Sequence, residues 1–346
     1  MRVDLFDFEL PPELIAQRPA EPRESARLLE LAGGPAEHRV ADLPDLLRPD
    51  DHLILNDTRV LPTRFFARRG NATVEVTLVE RIDARSWWCL AKPGKRLRQG
   101  DAVGLAEGLA AEVAEKREDG FVRLVFALEG LDLLAAIRRH GSMPLPPYIK
   151  RPRGGDARDL ADYQTVFGRH EGSVAAPTAS LHLTGPLMER LRERGIGWSF
   201  VTLHVGLGTF LPVKAEDTEA HRMHSEWWEV PEATAQRVNA ARAGGGRLVA
   251  VGTTVLRTLE TATDEAGVLQ AGQGSTDIFI TPGHRFRSAE LLLTNFHLPR
   301  STLFMLVSAF AGLERMRGAY AFAIDRGYRF FSYGDACLLH RRPDPS

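Results

Sequence analysis

Several histidines in this chain fall among glycines, small residues or acids. An imidazole in such company suits proton transfer near neutral pH. His182 lies in EGSVAAPTASLHLT (171–184), His204 opens HVGLGTF, and His221 and His224 belong to HRMHSEWW, where Glu226 follows. His297 sits in TNFHLPRST, and Asp335 follows a glycine in YRFFSYGDACL. A carboxylate such as Glu226 or Asp335 can hold an imidazole in one tautomer, and two differently tuned groups can serve as acid and base. The competing reading is that these rings make ordinary buried hydrogen bonds. If helical, His221 and His224 share a face. Neither HExxH nor HxxEH is matched, so no metal is expected.

Backbone features accompany these side chains. Gly206 and Gly208 let the main chain approach a nucleotide or methionine moiety closely, or serve only a tight strand exit. A Rossmann methyltransferase loop is disfavoured, because the third glycine is missing and Pro212 stands where a helix should begin. The small residues of 171–184 admit either a close crossing of two elements or a ligand touched by Ser173, Thr178 and His182.

The elements that must position these residues divide by texture. Val74, Val76 and Leu78 alternate with polar neighbours, as do Val122, Leu124 and Phe126, and turn signals stand at Pro93-Gly94, Gly100-Asp101 and Asp119-Gly120. Period two with frequent turns predicts a small antiparallel β-barrel at 63–147, with a hairpin joining 109–116 to 121–128. The flanks read differently. Pro186 opens a short helix with Leu187 and Leu191 on one face, strands are expected at 199–204 and 247–251, and Gly252-Thr253-Thr254 leads into a helix through Leu256, Leu259 and Ala262. His52–Leu55 reads as a buried strand running into Asn56-Asp57-Thr58-Arg59, Ser301 as a helix cap, and Tyr328–Leu338 as a terminal strand. The expected fold is α/β, a complex, barrel-like α/β core built from 1–62 and 148–346, with the β-barrel inserted at 63–147.

Composition sets the class. The chain has 346 residues, 44% apolar and 26% charged, which is the globular range. No apolar run is long enough to span a bilayer and no signal peptide is legible, so no membrane association and a cytoplasmic location are expected. Cys89 and Cys337 lie far apart without metal-ligand spacing and read as core residues. A formal net charge of -1 gives no global attraction for polyanions, so nucleic-acid binding must use local patches. Two exist. Lys92, Lys95, Arg96 and Arg98 have no acid among them, and Arg138, Arg139, Lys150, Arg151, Arg153 and Arg158 are accompanied only by Asp156. Either is a phosphate-binding surface or merely a solvated face.

Taken in order, LNDTRVLP, PPYI, DYQTVF, GSVAAPTASLHLT, VTLHVGLGTF, HRMHSEW, VGTTVLRTLE, TDIFITPG, LLTNFHLPRSTLFMLVSAFAG and YRFFSYGDA resemble the S-adenosylmethionine:tRNA ribosyltransferase-isomerases of queuosine biosynthesis, from Leu5 to Asp335. The resemblance implies an enzyme that moves the ribosyl group of S-adenosylmethionine, a co-substrate rather than a bound cofactor, onto 7-aminomethyl-7-deazaguanine at the wobble position of tRNA. Epoxyqueuosine would form, with release of adenine and methionine. An S-adenosylmethionine-dependent RNA methyltransferase and a non-catalytic RNA-binding module are the alternatives. A monomer is expected.

Carried onto this sequence, the family motifs are matched by Asn56, Asp57, Arg59, Thr178, His182, His204, Gly206, Gly208, His221, His224, Glu226, Thr253, Thr254, Asp277, His297 and Asp335. Four positions depart from the pattern: Ser180 for glycine, Leu183 for phenylalanine, Leu207 for alanine and Leu211 for arginine. The implied chemistry needs a base beside the sulfonium and an acid for departing adenine. His182, His204, His221 and His224 are the candidates, oriented by Glu226 or Asp335. Asn56 and Asp57 are expected to hold ribose hydroxyls. Trp227, Trp228, Phe331 and Tyr333 could face the sulfonium, an attraction of about 0.5–2 kcal/mol. For tRNA, Lys92, Lys95, Arg96, Arg98, Arg138, Arg139, Lys150 and Arg151 are expected on phosphates, with the target base splayed out of the anticodon loop.

Overall fold

The computed structural model describes residues 1–117, 120–152, 155–206, 213 and 215–343. Asp119, Arg153, Leu207, Gly208 and Leu211 lie outside the described residues. Two compact units are present. One comprises Met1–Thr58, Gln164–His170 and Ala176–Ser346, the other Arg59–Tyr163 and Glu171–Ala175.

The first unit is an α/β core around a nine-stranded mixed sheet. Its spatial order is Gly272–Thr276, Glu226–Val230, Gly197–Leu203, His52–Asn56, Leu248–Val251, Leu291–Asn295, Ala336–His340, Arg27–Leu31 and Pro35–Arg39. Among the described residues this sheet has two edge strands, Gly272–Thr276 and Pro35–Arg39. The strands beginning at Gly197, His52, Leu248 and Leu291 run parallel to one another. Their near-continuous apolar sequences follow from burial on both faces. Leu53, Leu55, Val249, Val251, Leu291 and Leu293 pack with Leu187 and Leu191 of the helix Gly185–Glu193. The helix Thr253–Ala262 crosses the same parallel strands, and Thr302–Ala311 lies against Ala336–His340.

Local sequence explains the helix starts. Thr184 accepts from the Leu187 amide and Ser301 from the Phe304 amide, so each satisfies an amide that the first turn would leave orphaned. Pro186 needs no such partner. Two expectations shift. HRMHSEWW is not helical, since Glu226–Val230 is a strand on which bulky tryptophans are favourable. The terminal strand begins only at Ala336, because Tyr328–Asp335 turns, with Phe331 at a φ of 72°.

The second unit holds a closed six-stranded antiparallel barrel. The strands Arg64–Arg69, Ala72–Arg81, Ser86–Lys92, Ala102–Ala106, Leu109–Lys116 and Phe121–Phe126 make it up. Val74, Val76, Leu78, Val122, Leu124 and Phe126 fill its core, joined by Leu133 and Ile137 of the helix Gly130–His140. Closure leaves no sheet edge open to another chain. Cys89 and Cys337 are both buried free thiols, one in each unit.

Candidate active site

The register of the core sheet gathers most of the candidate residues along one edge. The four parallel strands finish at Asn56-Asp57, Leu203-His204, Val251-Gly252 and Asn295-Phe296. Antiparallel pairing brings Glu226 and Asp335 to the same edge, since Trp228, two residues after Glu226, pairs with Leu203, and Asn295 pairs with Ala336, the residue after Asp335. The carboxyl ends of parallel strands are where open α/β sheets bind ligands.

At the centre, Thr58 Oγ1 lies 2.8 Å from His204 Nδ1, and its hydroxyl also reaches the His170 carbonyl at 3.4 Å. The His204 ring stacks on Trp227, with centroids 5.1 Å apart and planes 23° from parallel. Burial pushes the His204 pKa down to about 4, so the ring is neutral at physiological pH. Next to it, Thr202 Oγ1 donates to Asp57 Oδ1 at 2.7 Å, and His170 stands 3.6 Å from Asp57 Oδ2. Burial raises the Asp57 pKa against the opposing Thr202 hydrogen bond. Asn56 is different. Its amide bonds the Leu203 carbonyl and amide and the Thr58 amide, so the side chain is spent on joining two strands.

The turn Thr178–His182 meets this edge from above the Leu291 strand. Thr178 Oγ1 donates to Asn295 Oδ1 at 3.1 Å, and Asn295 Nδ2 lies 3.2 Å from His182 Nε2. Burial lowers the His182 pKa to about 4, although the nearby Asp335 charge works to raise it. Among the described residues, Asp335 bonds to arginines rather than to a histidine. Its carboxylate accepts from the Arg27 amide at 3.0 Å, the Arg329 amide at 2.8 Å and the Arg329 guanidinium at 3.2 Å, which ties the turn to the first strand of the sheet.

Glu226 likewise holds backbone. Gly206 N–H donates to its Oε1 at 2.8 Å, and its Oε2 forms a buried ion pair with Arg257 Nη1. Arg257 is a residue that sequence reasoning missed. The available signal was a cation inside the apolar helix of VGTTVLRTLE, where burial demands a partner. Thr253 and Thr254 begin that helix, both buried. Gly252 precedes them with a φ of 99°, a conformation that favours glycine, and a Cβ there would sit 3.6 Å from Ala179 of the Thr178 turn.

The other candidates make different contacts. His221 meets Phe279 edge-on at 5.2 Å, while His224 and Asp277 are exposed. Burial, then the charge of His224, lowers the His221 pKa. His297 is buried, bonded to Thr294 at 3.0 Å, with its pKa pushed down to about 3 by burial. Phe331 and Tyr333 are buried core rings, and Trp228 packs against Gly272 and Gly274. Arg59 belongs to the barrel unit.

Among the basic residues of that unit, Lys92, Lys95, Arg96, Arg98, Arg139 and Lys150 are exposed. Arg69 donates to the Arg96 carbonyl and Lys116 to the Leu97 and Gly94 carbonyls, so the first cluster extends onto neighbouring strands. Arg151 departs from the expected phosphate contact. Its guanidinium is buried against Asp159 at 2.9–3.0 Å. Arg138 is paired with Glu171.

Residues 3–339 match the family described as Queuosine biosynthesis protein. Proteins named S-adenosylmethionine:tRNA ribosyltransferase-isomerase from Rhodospirillum rubrum and a Methylobacterium species are 56% and 57% identical to this chain, over 100% of both sequences in the first case and 99% of both in the second. A crystal structure of S-adenosylmethionine tRNA ribosyltransferase from Thermotoga maritima shares 36% identity at a TM-score of 0.54, covering 96% of this chain and 99% of that one. Identity at more than half of all positions over the full length establishes that the chain belongs to the queuosine biosynthesis protein family, as an enzyme of its S-adenosylmethionine:tRNA ribosyltransferase-isomerase type.

Proposed function

We propose that this enzyme transfers and isomerises the ribosyl group of S-adenosylmethionine onto 7-aminomethyl-7-deazaguanine at the wobble position of tRNA. Epoxyqueuosine-tRNA forms, and adenine and methionine leave. The observation that carries this reading is the convergence of His204, Asp57, His182, Thr178 and Gly206 on one strand edge in a chain of this family.

The two tuned groups at the centre suit the two proton transfers. With the Thr58 hydroxyl turned to the His170 carbonyl, its oxygen accepts from His204 Nδ1–H, which leaves the Nε2 lone pair to take the proton beside the sulfonium. Asp57, whose burial favours the protonated form, supplies the proton to departing adenine. Trp227 holds the His204 ring plane and offers its own face to positive sulfur. His182 acts from the Asn295 side, on the turn that receives the nucleoside. Glu226 and Asp335 position backbone rather than accept protons from a histidine. In the cytoplasm, phosphates of the tRNA meet the exposed Lys92, Lys95, Arg96, Arg98, Arg139 and Lys150.

The test mixes purified protein, S-adenosylmethionine and tRNA bearing the aminomethyl deazaguanine, then separates the small products. Adenine with methionine supports the proposal. S-adenosylhomocysteine would instead indicate methyl transfer, and absence of turnover would indicate binding alone.

A further inference from the structure

Arg257 occupies the fifth position of the helix Thr253–Ala262 and is 2% exposed. Helical side chains lean toward the N-terminus of their helix, so its guanidinium is carried back toward the strand edge where the helix begins. Nε donates to the Ile278 carbonyl at 3.3 Å, and Nη1 pairs with Glu226. Nη2 is buried and has no hydrogen-bond partner among the described residues.

This is an unusual way to neutralise a buried arginine. A carboxylate meets guanidinium best through two parallel hydrogen bonds. Glu226 instead gives one oxygen to Nη1 and the other to the Gly206 amide, so the fork is only half used. An unmet charged donor in the interior is costly, and an acceptor that met it in the working state would recover that cost. The missing partner must be an acceptor strong enough for a buried guanidinium, placed at the start of a helix whose N-cap, Gly252, supplies no side-chain acceptor. The Arg257–Glu226 pair is already neutral, so a lone anion would leave net charge in the interior. A carboxylate carried by an α-amino-acid zwitterion would not, because its own ammonium balances it.

We infer that Arg257 Nη2 is the carboxylate subsite for the methionine end of the sulfonium substrate, with Glu226 holding both the guanidinium and the Gly206 amide in register. The inference rests on S-adenosylmethionine being the ribosyl donor. Calorimetric titration of the wild-type enzyme compares S-adenosylmethionine with its decarboxylated form, which keeps the sulfonium, ribose and adenine. Loss of the carboxylate is expected to weaken binding about 10- to 100-fold. In Arg257→Met that discrimination should vanish, while affinity for the decarboxylated compound stays within about threefold. The double variant Arg257→Met with Glu226→Gln repeats the comparison without a stranded buried charge. Equal affinity of the two compounds in the wild type, or discrimination that survives in both variants, would overturn the subsite while leaving the donor assignment standing. Binding of neither compound by the wild type would remove the donor assignment and the subsite together.

Discussion

Asn295 and His182 are joined side chain to side chain, the amide nitrogen donating to Nε2 at 3.2 Å while the amide oxygen takes the Thr178 hydroxyl. With Nε2 occupied as an acceptor, the His182 proton belongs on Nδ1, an assignment made from the network. Asn295→Ala strands the buried His182 and the half-buried Thr178 and should cost about 1–3 kcal/mol in chemical denaturation. Asn295→Asp puts an anion against the ring, and a histidine-resolved NMR titration should show the His182 pKa rising from about 4. A titration left unmoved by the aspartate would mean the two side chains are not in contact.

Stability should fall as the solution is acidified, earlier than carboxylate titration alone dictates. His182 and His204, lowered to about 4, and His297, lowered to about 3, all lie below the ordinary value of 6.5. Between those limits the unfolded chain binds protons that the folded one refuses. The stabilisation is therefore complete above pH 6.5 and is lost as pH drops toward 4, then toward 3 for His297, with a slope of at most about 1.4 kcal/mol per pH unit for the buried His182 and His297 and less for the half-buried His204. Urea unfolding over this range checks it, and His297→Gln should flatten the curve.

In the barrel unit, two arginines close in sequence should behave oppositely. Arg151→Ala removes the guanidinium that meets the buried Asp159 carboxylate through charge-assisted hydrogen bonds and should destabilise by about 1.5–3 kcal/mol. Arg138 and Glu171 are partly solvated, so Arg138→Ala should cost about 0–1 kcal/mol. Thermal unfolding of the two variants distinguishes them.

Charge removal at Lys92, Lys95 and Arg98 should weaken tRNA binding and shrink its salt dependence, by about 0.7–0.9 in the log–log slope for each phosphate that is no longer neutralised. Arg151→Gln should leave that slope alone, because its charge is consumed internally. An unaltered slope in the triple variant would reduce this end of the barrel to ordinary solvated surface.

Periodicity carried much of this architecture. Val74, Val76 and Leu78 alternate because one side of a barrel strand is sealed, and Thr253–Ala262 reads as a helix because Leu256, Leu259 and Ala262 recur at helical spacing on a buried face. Side-chain partners were far less legible. Asp335 is separated from Arg27 by most of the chain, and only the parallel pairing of Leu28 with Ala336 brings them together. Glycine at 334 reads as turn chemistry, whereas in space a Cβ there would lie 2.5 Å from the Arg329 carbonyl oxygen. Arg257 escaped notice because a motif shows which residues occur, not which of them leaves a nitrogen unmatched. The length of the final strand was overestimated because Tyr328–Asp335 is rich in β-favouring aromatics that are buried by a turn instead.

The place of Ala336–His340 in the sheet bears on how the protein is made. This segment fills the slot between Leu291–Asn295 and Arg27–Leu31, so the hairpin formed by Arg27–Leu31 and Pro35–Arg39 has no neighbour in the sheet until it arrives. During synthesis the barrel strands emerge as one continuous stretch and can close early, while that opening hairpin must wait, solvated and unpaired on one side, for nearly three hundred further residues to leave the ribosome. A translational stall late in the message would thus release a chain with a finished barrel and an unfinished enzyme.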